Sequence, residues 1–126
     1  MVITKKRHFG NAGEKAAADY LKNKGYKIIE ANFENKLGRK IGEIDIIAQE
    51  KDEMVFVEVK TRNIEHYSET LPEENITYSK LKKMARTGEF YLRKNHLENS
   101  PYRFDAVSVW LNESQKTAKI KHISHL

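Results

Sequence analysis

Apolar positions with helical or alternating spacing divide the chain into seven predicted elements. Two stretches, residues 11–24 and 75–95, carry apolar residues at helical spacing. Between the predicted strands, residues 33–41 are expected to form a basic turn and residues 63–74 a polar loop. Short runs rich in Val, Ile and aromatic residues predict strands at 26–32, 43–49, 54–61, 103–111 and 116–123. The order αβββαββ favours an α/β fold with a mixed central sheet flanked by helices.

The first predicted helix has typical end signals. Asn11 is a favoured N-cap residue, and Glu14 lies three residues later, as in a capping box. Gly25 is the residue type that most often ends a helix. No repeat or Pro/Gly-rich linker interrupts the chain, so we expect one domain covering residues 1–126.

Charged residues interrupt two of the predicted strands, in the segment GEIDIIAQEKDEMVFVEVKTR. Side chains alternate between the two faces of a strand, so Glu58 and Lys60 lie on one face, about 7 Å apart. The opposite face is better suited to the core, since it carries Val55, Val57 and Val59. If the two strands pair through the EKDE turn, Asp45 comes near Glu58.

Two interpretations of these charges stay open at this point. Converging carboxylates with an ammonium group nearby suit a hard divalent cation, which prefers oxygen ligands. Such an ion polarises a phosphoryl oxygen and lowers the pKa of water. Alternatively, Glu and Lys at alternate positions form a solvated outer face with cross-strand ion pairs.

Glu14 has the same two interpretations. It shares an apolar helical stripe with Ala17, Ala18 and Leu21, so its carboxylate could face inward toward a metal or water. It also fits the capping box, where the helix N-terminus favours negative charge. Both roles are compatible, and the residues alone leave the choice open.

Composition narrows the classes of partner. The 126 residues include 23 Lys and Arg against 18 Asp and Glu, which gives a net charge of +5 and favours a polyanionic partner. The absence of cysteine excludes disulfides and thiolate metal sites. No apolar stretch reaches the ~20 residues of a membrane span, and we expect a cytoplasmic protein. The histidines form no convincing ligand pair, and His122 and His125 are expected to be exposed.

Five motifs, taken together, resemble those of the YraN-like family of predicted endonucleases. They run in this order: GNAGEKAAADYL (10–21), GEIDIIA (42–48), VFVEVKTR (55–62), ITYSKLKKMA (76–85) and RFDAV (103–107). That family is similar to Holliday junction resolvases within the PD-(D/E)XK nuclease-like superfamily. The resemblance implies a restriction-endonuclease-like core and an endonuclease that hydrolyses phosphodiester bonds in nucleic acid. The expected substrate is DNA, including branched or junction DNA.

The resemblance also implies roles for individual residues. Asp45, Glu58 and Lys60 take the places of the superfamily's D…ExK triad, and Glu14 takes that of the acid on the first helix. Asp45 and Glu58 would bind Mg²⁺ or Mn²⁺, with the backbone carbonyl of Val59 as a further ligand. Lys60 would orient or deprotonate the attacking water, and Glu14 would hold a water molecule or a second ion.

Basic residues around this segment are candidate phosphate contacts, whose strength would fall with salt. The set comprises Thr61, Arg62, Lys80, Lys83, Arg39 and Lys40. Lys80 ranks first because it lies in the helix motif. A homodimer is expected, since resolvase-like enzymes act on two-fold junctions. Two alternatives stay open: a non-catalytic nucleic-acid-binding domain, and a module that needs a partner for activity.

Overall fold

A computed structural model describes residues 5–37, 39–63, 77–112 and 114–126. For residues 5–11, 36–37 and 39–41 it describes only the backbone. The elements, in chain order, are α1 (Lys5–Asn23), β1 (Lys27–Leu37), β2 (Arg39–Glu50), β3 (Glu53–Asn63), α2 (Tyr78–Lys94), β4 (Tyr102–Asn112) and β5 (Thr117–Ile123). The predicted order αβββαββ is confirmed, and it is consistent with a restriction-endonuclease-like fold.

The five strands form one mixed sheet in the order β1-β2-β3-β4-β5. β1, β2 and β3 are antiparallel neighbours, as are β4 and β5. β3 and β4 are parallel, with registered partners from Met54↔Tyr102 to Asn63↔Leu111. Parallel neighbours need a crossover connection, and α2 lies in the segment that joins them.

Both faces of the sheet are buried. On one face, α1 packs against Val55 and Val57, and on the other, α2 packs against Phe56. The burial predicted for Val55 and Val57 is confirmed, and Phe56 on the opposite face is as fully buried as the two valines. Two helical layers around a sheet explain the result, since each face has its own apolar cover.

The start of α1 differs from the prediction. The helix begins at Lys5, six residues before the predicted N-cap Asn11, so Glu14 lies in the helix interior and the capping-box interpretation is wrong. The predicted end is confirmed: Gly25 has φ +96°, and its N–H donates to Lys22 at 3.0 Å. The Tyr26 N–H donates to Leu21 at 2.9 Å, which completes a Schellman motif.

The basic turn predicted at residues 33–41 is also wrong. β1 continues to Leu37 and β2 already begins at Arg39, so most of this segment is paired strand. Its register includes Phe33↔Ile44, and both side chains are buried under α2. Backbone pairing and the burial of these apolar side chains therefore outweigh the turn-like composition of NKLGRK.

α2 begins at Tyr78, after the N-cap Thr77, whose side-chain oxygen accepts a hydrogen bond from the Lys80 N–H at 3.2 Å. The predicted start at Asn75 and most of the predicted polar loop lie within residues 64–76, outside the described part of the chain. The predicted core face is confirmed, with Met84, Gly88, Tyr91 and Leu92 buried. None of the described helices is both long and apolar enough to cross a membrane.

Candidate functional site

The candidate site lies where β2 and β3 separate. Their registered pairs run from Glu50↔Glu53 to Ile46↔Val57. Beyond that point, β2 keeps its partner β1 and β3 keeps its partner β4. The sheet therefore opens into a cleft between β2 and β3. Each of the two strands stays hydrogen-bonded to its other neighbour in the sheet.

Asp45 is the first β2 residue inside this cleft. Its Oδ2 accepts a hydrogen bond from the Val59 backbone N–H at 2.8 Å, so a side chain replaces the backbone partner that β2 no longer supplies. Burial raises the pKa of the Asp45 carboxyl to about 8, and the neighbouring carboxylate of Glu58 acts in the same direction. The Val59 hydrogen bond opposes this, whereas Glu14 and Glu43 raise the pKa further. An unneutralised negative charge at Asp45 is therefore unfavourable.

Glu58 and Lys60 form the second part of the site. Lys60 Nζ lies 3.3 Å from Glu58 Oε1, and both side chains are more than four-fifths buried, with exposed fractions of 19% and 17%. As the alternation of β3 predicted, the two side chains lie close together. The ammonium group neutralises one of the carboxylates that face the cleft.

Glu14 enters the site from α1. Its helical stripe is confirmed, since Ala17 and Leu21 are fully buried against the sheet. Burial raises the pKa of the Glu14 carboxyl above its ordinary value, a hydrogen bond with Asn32 lowers it, and Glu43 and Glu58 raise it. Glu14 therefore lies within electrostatic reach of the carboxylates on β2 and β3.

Four carboxylates, those of Glu14, Glu43, Asp45 and Glu58, thus interact across the cleft. Within the described residues, no three His, Cys, Asp or Glu side chains converge into a complete ligand set. Mg²⁺ commonly uses only one or two protein carboxylates and keeps several waters. Asp45 and Glu58 supply such a donor pair, and the raised pKa of Asp45 indicates a place where a cation would be stabilising. The residues present therefore fit a hard divalent ion.

Lys80 lies on the α2 side of the cleft. A hydrogen bond with Lys60 lowers the pKa of Lys80 below its ordinary value, and desolvation acts in the same direction. Lys60, Glu58 and Arg62 also act on Lys80 electrostatically. The first turn of α2 is therefore close to Glu58 and Lys60 of β3. This turn carries Lys80, which the sequence ranked first among the basic candidates.

The other basic candidates have varied surroundings. Thr61 packs against α1, because a Cβ at Gly13 would lie only 2.8 Å from Thr61 Cβ. Arg62 is half-buried, and its Nη1 donates to the Thr61 carbonyl at 3.5 Å. Lys83 is exposed on α2. Arg39 and Lys40 lie in β2, but their side chains are outside the described part. Phosphate binding by this set stays a prediction.

Sequence reasoning missed Asn32. It lies on β1 between the registered pairs Ala31↔Ile46 and Phe33↔Ile44, which places it at the level of Asp45. Its φ is +54°, a left-handed conformation that Asn tolerates better than most residues. The sequence marked Asn32 only as the end of a predicted strand, because its hydrogen bond with Glu14 is made across 18 positions of the chain.

Comparisons with known proteins identify the family. The model of uncharacterised protein family UPF0102 matches residues 13–109. A UPF0102 protein of Caldanaerobacter subterraneus is 42% identical over 119 residues, covering 94% of this chain and 93% of the relative. One from Clostridioides difficile is 44% identical over 114 residues, covering 90% and 91%. One from Caldicellulosiruptor saccharolyticus is 40% identical over 120 residues, covering 95% and 97%. The family resemblance carried by the motifs is thus confirmed, and the chain belongs to UPF0102, the YraN-like family.

Proposed function

We propose that this protein is a divalent-metal-dependent endonuclease that hydrolyses phosphodiester bonds in nucleic acid, with DNA as the favoured substrate. The observation that carries the proposal is the environment of Asp45. A part-buried carboxylate with its pKa raised to about 8 lies beside the Glu58–Lys60 pair at the opening of the sheet. Perturbed carboxylates in a cleft are typical of functional sites, and a purely structural strand pair would not require them.

Asp45 and Glu58 would hold the Mg²⁺ or Mn²⁺ ion, with the Val59 carbonyl as a further donor. When bound, the ion supplies Lewis-acid activation of the phosphoryl group. The Val59 N–H fixes the Asp45 carboxylate, so one donor is oriented before the ion arrives. Lys60 holds Glu58 and presents a positive charge toward the negative charge that develops on phosphorus oxygens in the transition state.

Binding would use the cations around the cleft. Lys80 contacts Lys60, and two ammonium groups at close range repel each other. A phosphate between or beside them would relieve that repulsion, so Lys80 is the first candidate for a backbone contact. Phosphate contacts of this kind weaken as salt rises.

A homodimer that presents two clefts to a two-fold junction stays part of the proposal, and light scattering of the purified chain tests it.

The first test separates metal binding from cleavage. Mn²⁺ is titrated into the wild type, Asp45→Asn and Glu58→Gln by calorimetry, and each protein is then assayed on single strands, duplexes and four-way junctions. We expect both variants to lose at least tenfold in Mn²⁺ affinity and to lose cleavage, because each removes a charged donor. Asp52→Asn, in the exposed β2–β3 turn, is the matched control and should behave as wild type.

The outcomes distinguish the alternatives. Undiminished cleavage by Asp45→Asn or Glu58→Gln would contradict the assignment of the site. Salt-sensitive binding of nucleic acid with no cleavage of any substrate would favour the non-catalytic binding domain. Absence of both binding and cleavage by the chain alone would favour the module that needs a partner.

A further inference from the structure

We propose that the first half of α2 is a DNA-binding surface on which Tyr78 stacks on an unpaired base. The α2 surface consists of Tyr78 and the cations of the next two turns, Lys80, Lys82, Lys83 and Arg86. The inference rests on the proposed function and deepens it, because it names the substrate class. That class is DNA with a single-stranded segment beside the cleft.

Tyr78 is the most exposed large hydrophobic side chain in the described part of the chain. Its exposed fraction is 77%, whereas those of Ile29, Tyr102 and Leu126 are 38–40%. Lys82 lies one helical turn further along, and its Nζ is 5.7 Å from the centre of the Tyr78 ring. Such a contact orients the ring and brings a cation beside it. An exposed ring next to a cation is the combination that stacks on a base of a single strand while the cation meets the backbone.

The charge of the α2 surface has a single sign. Its four cations are exposed, and no Asp or Glu occurs at residues 78–88. The first turn carries no acidic residue, although the positive end of the helix dipole favours one there. Lys80 and Lys83 are like charges at neighbouring helical positions, and such pairs destabilise a helix. Lys82 and Arg86 form a second pair of this kind. A polyanion on this surface would therefore relieve repulsion that the helix by itself does not offset.

The packing of α2 on the sheet directs this surface toward the cleft. Gly88, in the middle of the helix, packs on Phe56, which lies in the paired part of β3. Five residues earlier, the Lys83 carbonyl lies over Gly42 of β2, where an added Cβ would be 3.7 Å from it. Gly42 lies beyond the last β2–β3 pair, in the open part of the sheet. The helix therefore runs from the open part toward the paired part, and its first turn, with Tyr78, lies at the cleft.

The test measures DNA binding by fluorescence anisotropy in EDTA, so that it does not depend on cleavage. The probes are a flush-ended duplex, the same duplex with a single-stranded overhang, and that overhang with abasic sites in place of its bases. We expect the wild type to bind the normal overhang more tightly than the abasic one by about fivefold or more, the factor for one stacked base. Tyr78→Ala should bind the two overhangs equally. Tyr78→Phe, the matched control, should keep the preference because its ring still stacks.

Three outcomes would overturn the proposal. They are equal binding of the two overhangs by the wild type, a preference that survives in Tyr78→Ala, and loss of the preference in Tyr78→Phe. Because the Tyr78 side chain is exposed, both variants should unfold in urea at the same concentration as the wild type.

The cations are tested with Lys83→Gln. Its loss of one phosphate contact should weaken binding of all three probes by a similar factor and reduce the dependence of log affinity on log salt by about one. Lys51→Gln removes the same charge in the exposed β2–β3 turn, at the paired end of the two strands, and should change neither quantity. An unchanged salt dependence in Lys83→Gln would overturn the phosphate contacts of the α2 surface.

This inference and the nuclease proposal fail separately. Binding with the expected preference but without metal-dependent cleavage of any substrate would overturn the nuclease proposal alone. Metal-dependent cleavage by the wild type, with no effect of Tyr78→Ala on the binding of either overhang, would overturn this inference alone.

Discussion

Two aspartates, one on each strand that neighbours β3, lie among charged groups, and their pKa values are shifted in opposite directions. Asp45, on β2, has a pKa raised to about 8. Asp105, on β4 and registered with Val57 of β3, has a pKa below its ordinary value. Burial raises the pKa at both sites, so the partners of each carboxylate decide the difference.

The partners of Asp105 form a closed network. Arg103 Nε donates to Asp105 Oδ1 at 3.0 Å, and His122 Nε2 lies 2.7 Å from Asp105 Oδ2. The same guanidinium reaches Glu50 at 3.0 Å and Glu53 at 2.6 Å. Desolvation of Asp105 is the largest influence on its pKa, but the bonds from His122, Arg103 and the His125 N–H together outweigh it.

Asp45 lacks that compensation. It receives one backbone hydrogen bond, and the ammonium group of Lys60 is paired with Glu58. A buried carboxylate with sufficient donors stabilises the fold, whereas one short of positive charge is set up to take a cation. We infer that the Asp105 network is structural and the Asp45 cleft is functional. Four substitutions test that contrast.

The largest effect is expected for Arg103→Met. It leaves the buried carboxylate of Asp105 without its cation, and breaking a buried pair from one side costs about 3–5 kcal/mol of unfolding free energy. Urea unfolding measures the loss. Arg86→Met, on the exposed side of α2, should change stability by less than about 0.5 kcal/mol.

A double substitution tests whether the charge of Asp105 is the reason for that loss. Once Arg103 is absent, Asp105 is a buried carboxylate with too few donors, so adding Asp105→Asn to Arg103→Met should recover part of the stability. Further destabilisation by the second change would mean that Arg103 is not what stabilises the Asp105 charge.

The next effect has the opposite sign: Asp45→Asn should stabilise the protein at neutral and alkaline pH. The folded-state pKa of about 8 exceeds the ordinary value of 3.8, so the wild type loses stability as pH rises from about 4 to 8. One pKa unit corresponds to about 1.4 kcal/mol, and we expect a gain of at least about 1 kcal/mol at pH 8.

The measurement is urea unfolding at several pH values in the presence of EDTA. The advantage of Asp45→Asn should grow from pH 4 to pH 8 and then stay constant. Asp52→Asn, in the exposed turn, should give no such trend. An advantage for Asp45→Asn that did not change with pH would contradict the role assigned to burial and to the neighbouring carboxylates.

The smallest effect on stability is expected for Lys60→Met. Lys60 makes one ion pair, with Glu58, whereas Arg103 holds three carboxylates, so the loss of unfolding free energy should be well below that of Arg103→Met. If the protein is the proposed nuclease, cleavage should nevertheless be lost, because the ammonium group beside Glu58 is removed. Unfolding and cleavage are measured on the same preparation, with the exposed Lys51→Met as control. A loss of stability comparable to that of Arg103→Met would assign Lys60 to the fold and not to the site.

Local patterns determined much of the fold. Helical spacing gave the buried stripe of α1 and the core face of α2, and alternation put Glu58 beside Lys60 on β3. Gly25 ended α1 as its preference for positive φ predicts. These features could be predicted because each depends on residues only a few positions apart.

Features that depend on distant pairing could not be predicted in the same way. The long β1–β2 pairing replaced an expected turn because strand partners and the cover from α2 decided it. His122, expected to be exposed, has a side chain only 7% exposed, because β4 places Asp105 next to it. Asn32 was identified only through its influence on the pKa of Glu14.

The sequence by itself thus determined the order of elements, the family and the charged triad Asp45, Glu58 and Lys60. Only the tertiary structure decided that β2 leaves β3 after Ile46↔Val57, which leaves the part-buried carboxylate of Asp45 between the two strands. The reason is physical. Periodicity fixes which side chains share a face, whereas the charge state of a group depends on the whole set of neighbours that the fold brings around it.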